Sequence, residues 1–194
     1  MLKLRIAHSP DRLAGPAAEA LRSAAARLAQ CERMPRPHEM CEAHTLLARC
    51  WLAQGNRGAA ETHLQQALRW TLPMGSADAE VDVLCELAET AAFSAEAQRR
   101  GTPASASAQA SADAALGRAR DYVAQAAERA GQVADSRWEI QVLLRISDVL
   151  DRCGDRSEAV LLQTRAMRLM AWEDTAPLPE PPDAMPTDGA SIDA

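Results

Sequence analysis

The chain has 194 residues, a formal net charge of -6, 47% hydrophobic and 25% charged side chains, and only one Phe and one Tyr. That length suits one domain with a substantial core and is short for two, and because Ala and Leu carry the hydrophobic share, helix formers abound while strand formers are scarce. No basic stripe with interleaved aromatics is present, which argues against nucleic-acid binding, and no run approaches the roughly 18 apolar residues of a membrane span.

Residues 1–16 read as an N-terminal arm. Leu2 to His8 alternates apolar and polar residues like a short strand, yet no later segment offers it a partner. The opening MLKLRIAHSP lacks the long apolar core of a secretion signal, and five cysteines (Cys31, Cys41, Cys50, Cys85, Cys153) form no C-x-x-C pair and fall mostly at apolar helical positions. A reducing cytoplasm is the expected location. Gly15-Pro16 then introduces a helix over about 17–33, with Ala17, Leu21, Ala24, Leu28 and Cys31 on one face. Met34-Pro35-Arg36-Pro37 breaks the chain. A helix over about 38–54 places Ala43, Leu46, Leu47, Cys50 and Trp51 at the spacing of a buried face. Gly55 stops it. An antiparallel helix over about 58–72 follows, burying Ala60, Leu64, Ala67 and Leu68 and ending at Pro73-Met74-Gly75.

The next helix, over about 77–100, carries Val83, Leu84, Leu87 and Ala91 on one side. Residues 101–110 (GTPASASAQA) are of low complexity without apolar periodicity, and are expected to form a mobile insertion. The returning helix, over about 111–130, has a small-residue stripe at Ala115, Ala119, Val123 and Ala126. A last pair covers about 135–153, with Leu143, Ile146, Val149 and Leu150 inward, and about 157–172. From residue 175 the chain is Pro-rich and acidic, and is expected to be disordered. Glu180, Asp183, Asp188 and Asp193 lie there without any Lys or Arg, so the acidity belongs largely to this tail and says little about the helical surface. The expected fold is therefore all-α: about seven helices, forming a solenoid of three hairpins behind an N-terminal helix, over 17–174.

Two hairpins repeat one pattern. Leu47, Ala48, Trp51, Gly55, Ala60, Leu64 and Ala67 in the first correspond to Ile146, Ser147, Leu150, Gly154, Ala159, Gln163 and Ala166 in the third. In the second, Leu87, Ala88, Ala91, Ala119, Val123 and Ala126 match across the insertion. This series of large, small, aromatic, Gly, Ala, large and Ala resembles the tetratricopeptide repeat, in which small residues let two helices approach and large ones fill the gaps between hairpins. The family's Trp slot holds His44, Leu84 or Leu143, and the insertion breaks its period of about 34 residues. The chain thus resembles the degenerate tetratricopeptide-like segments of bacterial signalling proteins, including diguanylate cyclases and large transcriptional activators, without a G-G-D/E-E-F run or a DNA-reading helix pair of its own.

The resemblance implies a concave groove lined by first helices. Its slots fall on Thr45, Arg49 and Leu52, on Cys85, Glu89 and Phe93, and on Leu144, Asp148 and Arg152. Arg49 and Arg152 are each able to fork a carboxylate of a partner, the plainer reading being solvated helix arginines in i,i+4 pairs. The last helix carries more apolar surface than a terminal cap needs, with Val160, Leu161, Met167 and Trp172 beside its inward face, which suggests self-association into a homodimer or docking of the tail.

His38, Cys41 and His44, near Cys31, have i,i+3 spacing that zinc would accept, but Cys41 and His44 occupy packing slots and no second ligand pair follows. No metal or cofactor is expected. His63 reads as a packed side chain, and no phosphate loop, nucleophile turn or H-E-x-x-H run points to an enzyme. The function implied is a non-enzymatic scaffold or adaptor holding a protein or peptide segment in the groove. The alternatives are a ligand-sensing regulatory module, which would have a closed cavity, and a secretion-type chaperone for one client.

Overall fold

The computed structural model describes residues 15–101 and 105–175. The expected arm and acidic tail lie almost wholly outside them. Seven α-helices and no strand occur among the described residues: α1 (Pro16–Cys31), α2 (Pro37–Ala53), α3 (Arg57–Met74), α4 (Ala77–Gly101), α5 (Ala106–Ala130), α6 (Ser136–Cys153) and α7 (Arg156–Thr175). No helix among the described residues is long and apolar enough to cross a membrane. The helices pack as hairpins α2–α3, α4–α5 and α6–α7, with α1 against α2. Successive hairpins meet through α3 on α4, α5 on α6 and α4 on α6.

The helix ends follow from the local sequence. Pro sits in the first turn of α1 and of α2, where its missing N–H costs nothing. Gly55 and Gly154 adopt φ of 75° and 85°, the left-handed region open to glycine. The two turns are superimposable in their bonding. Asn56 N–H donates to Trp51 C=O and Asp155 N–H to Leu150 C=O, each at 2.9 Å, the six-to-one bond of a glycine-terminated helix. Asn56 also caps α3, its side chain accepting from Ala59 N–H at 3.1 Å. α3 runs through Pro73 to Met74, two residues beyond the sequence expectation, because a proline in the last turn removes a single backbone bond and Gly75 provides the stop.

The expected insertion differs from the structure. α4 reaches Gly101 and α5 starts at Ala106, so residues 106–110 are helical and residues 102–104 lie outside the described residues. Ser105 caps the helix by accepting from Ala108 N–H at 3.2 Å, and the Ala-rich run that follows has high helix propensity even though its first turns have no apolar stripe to bury.

The core is continuous through α4. Val83 and Leu87 pack with α1, α2 and α3, whereas Val81, Leu84, Cys85 and Ala88 pack with α5, α6 and α7. Every residue from Val83 to Ala88 is buried, so this stretch of α4 is enclosed on more than the single side that its apolar stripe suggested, while Asp82 and Phe93 stay exposed. Leu68 and Tyr122 touch both halves of the core. In the third hairpin Gln163 stands where the repeat pattern favours a large apolar residue, and its amide Nε2 donates to the buried Ser147 hydroxyl at 3.4 Å.

Candidate functional site

The first helices of the three hairpins, α2, α4 and α6, bring side chains together in an open pocket of about 250 Å³. Its lining is Arg49 and Leu52 from α2, Glu86, Glu89, Thr90 and Phe93 from α4, and Arg145 from α6. Four of the nine expected groove residues, Arg49, Leu52, Glu89 and Phe93, meet here. A fifth, Arg152, places its guanidinium carbon 4.5 Å from the centre of the Phe93 ring, a cation–π contact that covers one side of the aromatic. Asp148 and Leu144 are exposed on α6 outside the pocket, and Thr45 is half-buried on α2. Cys85 is the one expected groove residue that the structure removes from any surface. It is fully buried, and burial pushes its thiol up to about 12.

That misplacement has a geometric reason. The resemblance assigns residues 85, 89 and 93 of α4 to the groove, whereas the stripe that lines it is 86, 89, 90 and 93, about 100° further round the helix at its first position. Glu86, Thr90 and Arg145 were therefore missed. The signal for two of them is a charge inside an apolar run: Glu86 sits between Cys85 and Leu87, and Arg145 between Leu144 and Ile146. Glu86 is buried and Arg145 half-buried, and each finds its counterion across the groove.

Two ion pairs strap the three helices together. Glu86 Oε1 accepts from Arg49 Nε at 3.0 Å and also from Nη2. Glu89 takes a two-point contact from Arg145, with Nε to Oε1 at 2.5 Å and Nη2 to Oε2 at 3.2 Å. Hydrogen bonding to Glu86 and to Glu89 respectively holds each guanidinium more firmly protonated than usual. Arg152 extends the series to Glu96, 3.8 Å away. The two arginines expected to wait for a partner carboxylate are thus already engaged, Arg49 with Glu86 and Arg152 with Phe93 and Glu96. Desolvation raises Asp82 above the usual carboxylate range, although Arg145 lies 3.9 Å from it.

Elsewhere, a larger open concavity of about 660 Å³ lies at the α1–α2 turn, lined by Arg27, Arg33, Arg36, Gln30, Met34, Cys31 and Glu39. Arg27 is paired with Glu42 at 2.8 Å and Arg36 with Glu39 at 3.3 Å. The His and Cys residues with metal-donor spacing have separate surroundings: His38 is exposed and 3.6 Å from Glu42, Cys31 and Cys41 are buried, and His44 is buried against His63. No group of three or more His, Cys, Asp or Glu side chains is gathered to hold a metal among the described residues. On α7, Val160 is 50%, Met167 58% and Trp172 74% exposed, so all three expected self-association residues lie at the surface.

No family model matches the chain, and no curated protein matches it. Among solved structures, the crystal structure of BtubC (BKLC) from P. vanneervenii is 18% identical and is matched over 88% of this chain and 80% of that one, at a TM-score of 0.35. A likeness of that size carries no argument about fold or function.

Proposed function

We propose that this chain is a non-enzymatic, tetratricopeptide-like scaffold that binds a segment of a partner protein along the α2–α4–α6 groove. The observation that carries this reading is the convergence of Arg49, Leu52, Glu89 and Phe93, from two successive hairpins, in one open pocket with Arg145 from the third. An apolar patch of Leu52 and Phe93 within a charged rim suits an extended segment with one anchoring side chain. A ligand-sensing module would favour an enclosed cavity. Both concavities are open, and the groove pocket, at about 250 Å³, is also below the range of about 300–1,000 Å³ common for small-molecule sites.

Site-specific photocrosslinking in cells tests the reading. A photoreactive residue at Asp148, exposed beside the groove, or at Phe93 is expected to give discrete adducts absent from a probe at Asp121 or Gln125 on the exposed side of α5. The same adducts from both faces, or none from the groove, would overturn it.

A further inference from the structure

Two buried polar atoms of α4, on residues that line the groove pocket, have no hydrogen-bond partner among the described residues: Glu86 Oε2 and Thr90 Oγ1. The Glu86 side chain is 9% exposed and Thr90 only 1%. Residues 86 and 90 are one helical turn apart, so both atoms belong to the same face. Buried polar groups in folded proteins are nearly always satisfied, and a pair left unmet in a cavity marks the place where a donor arrives. One Glu86 oxygen takes both contacts from Arg49 while the other is buried in the pocket wall with no partner among the described residues, so half of this carboxylate remains unanswered.

The two atoms themselves indicate the kind of donor. The carboxylates that α4 presents, Asp82, Glu86, Glu89 and Glu96, are answered by Arg49, Arg145, Arg152 and, on α4 itself, Arg100, so no charge is left over. What stays unanswered is Glu86 Oε2, which as a carboxylate oxygen only accepts, and the Thr90 hydroxyl. A compact ammonium offers several donors from a single point, which fits two acceptors one turn apart, whereas a planar guanidinium would crowd the Arg49 fork already on Glu86. The methylene stem of such a side chain matches Leu52 and Phe93.

Resting on the segment-binding reading above, we propose that the pocket receives a lysine side chain of the partner, its ammonium donating to Glu86 Oε2 and Thr90 Oγ1 while its stem lies on Leu52 and Phe93. The chain's own single lysine is Lys3, in the N-terminal arm, so an internal occupant is easily tested.

A random peptide library selected on the full-length chain provides the probe, with binders assigned to the groove by amide shift changes confined to α2, α4 and α6. Groove binders are expected to align on one lysine. Replacing that lysine by norleucine in a synthetic lead peptide is expected to weaken binding by roughly tenfold or more, the loss of hydrogen bonds to a charged group. Thr90→Val separates the site from the fold. Removing an unmet hydroxyl from the interior leaves the melting temperature unchanged or raised, yet weakens the lysine peptide and leaves the norleucine peptide as it was. Groove binders without a shared lysine, an arginine consensus, equal affinity of the lysine and norleucine peptides, or a lower melting temperature in Thr90→Val would each overturn the proposal while leaving segment binding intact. Tighter binding to a Lys3→Arg chain would assign the pocket to the chain's own arm and overturn the partner assignment. Failure to recover any groove binder would remove the segment-binding reading as well.

Discussion

His44 and His63 meet inside the first hairpin with their Nδ1 atoms 3.2 Å apart and their rings tilted by 30°. One nitrogen donates and the other accepts, so the contact requires at least one neutral ring. Burial, followed by the charge of His63, pushes His44 from its usual 6.5 down to about 4. In the unfolded chain His44 takes up its proton near pH 6.5, while in the folded chain it resists until about pH 4. Its contribution to stability is therefore fully present above pH 6.5 and is lost as the pH falls from 6.5 to about 4, by at most about 1.4 kcal/mol for each pH unit. Two measurements check this: the His44 ring resonances should hold their neutral position between pH 7.5 and 5, and the urea midpoint should fall over the same interval. A ring that titrates near 6.5 would refute the buried pair. The sequence placed His44 in a slot that the repeat family fills with Trp, but nothing in it joined that ring to His63, 19 residues away, because the pairing depends on the register of α2 on α3.

At the scale of the helices, the glycine turns carry a clean prediction. A Cβ at Gly55 or Gly154 would meet no atom within 4 Å, so substituting either position tests backbone conformation alone. Gly154→Ala is expected to cost about 1–2 kcal/mol, the penalty for an L-residue in the left-handed region, and Gly154→Asn less, since Asn enters that region more readily. Urea titration should show a lower midpoint at an unchanged slope. Helix boundaries such as these were legible in the sequence because Gly and Pro act locally. The start of α5 was not, because its only marker is Ser105 in an Ala/Ser run where many residues resemble caps and none resembles a breaker. The groove was half legible for a related reason. Arg49, Leu52, Glu89 and Phe93 follow from spacing along single helices, whereas the placement of Glu86 and the burial of Cys85 depend on how α4 is rotated among its neighbours, which no single helix records.

At the scale of the whole molecule, the two ends of the stack differ. α1 covers the first hairpin with Ala18, Leu21, Ala24 and Leu28 buried, whereas α7 buries Ala159 and Ala166 and leaves Val160, Leu161 and Met167 at least half exposed. A repeat array normally ends on a polar face. A second copy of the chain meeting α7 against α7 would cover this arc with a self-complementary surface. Sedimentation velocity is expected to show concentration-dependent dimerisation that Val160→Glu with Met167→Glu abolishes, while the melting temperature of the dilute, monomeric chain is unchanged, since both positions are at the surface. A monomer at every concentration would refute it.

The enclosure of α4 also determines how the molecule can come apart. Solenoids built from nearest-neighbour contacts can lose an end repeat while the rest stands, but here one helix supplies residues to both halves of the core, and Leu68 and Tyr122 bridge them. A cut between residues 75 and 77 would strip the first half of Val83 and Leu87 and leave Leu68 without its second neighbour. The groove is thus built on the helix whose loss dissolves everything else, so its geometry persists for as long as the protein is folded at all.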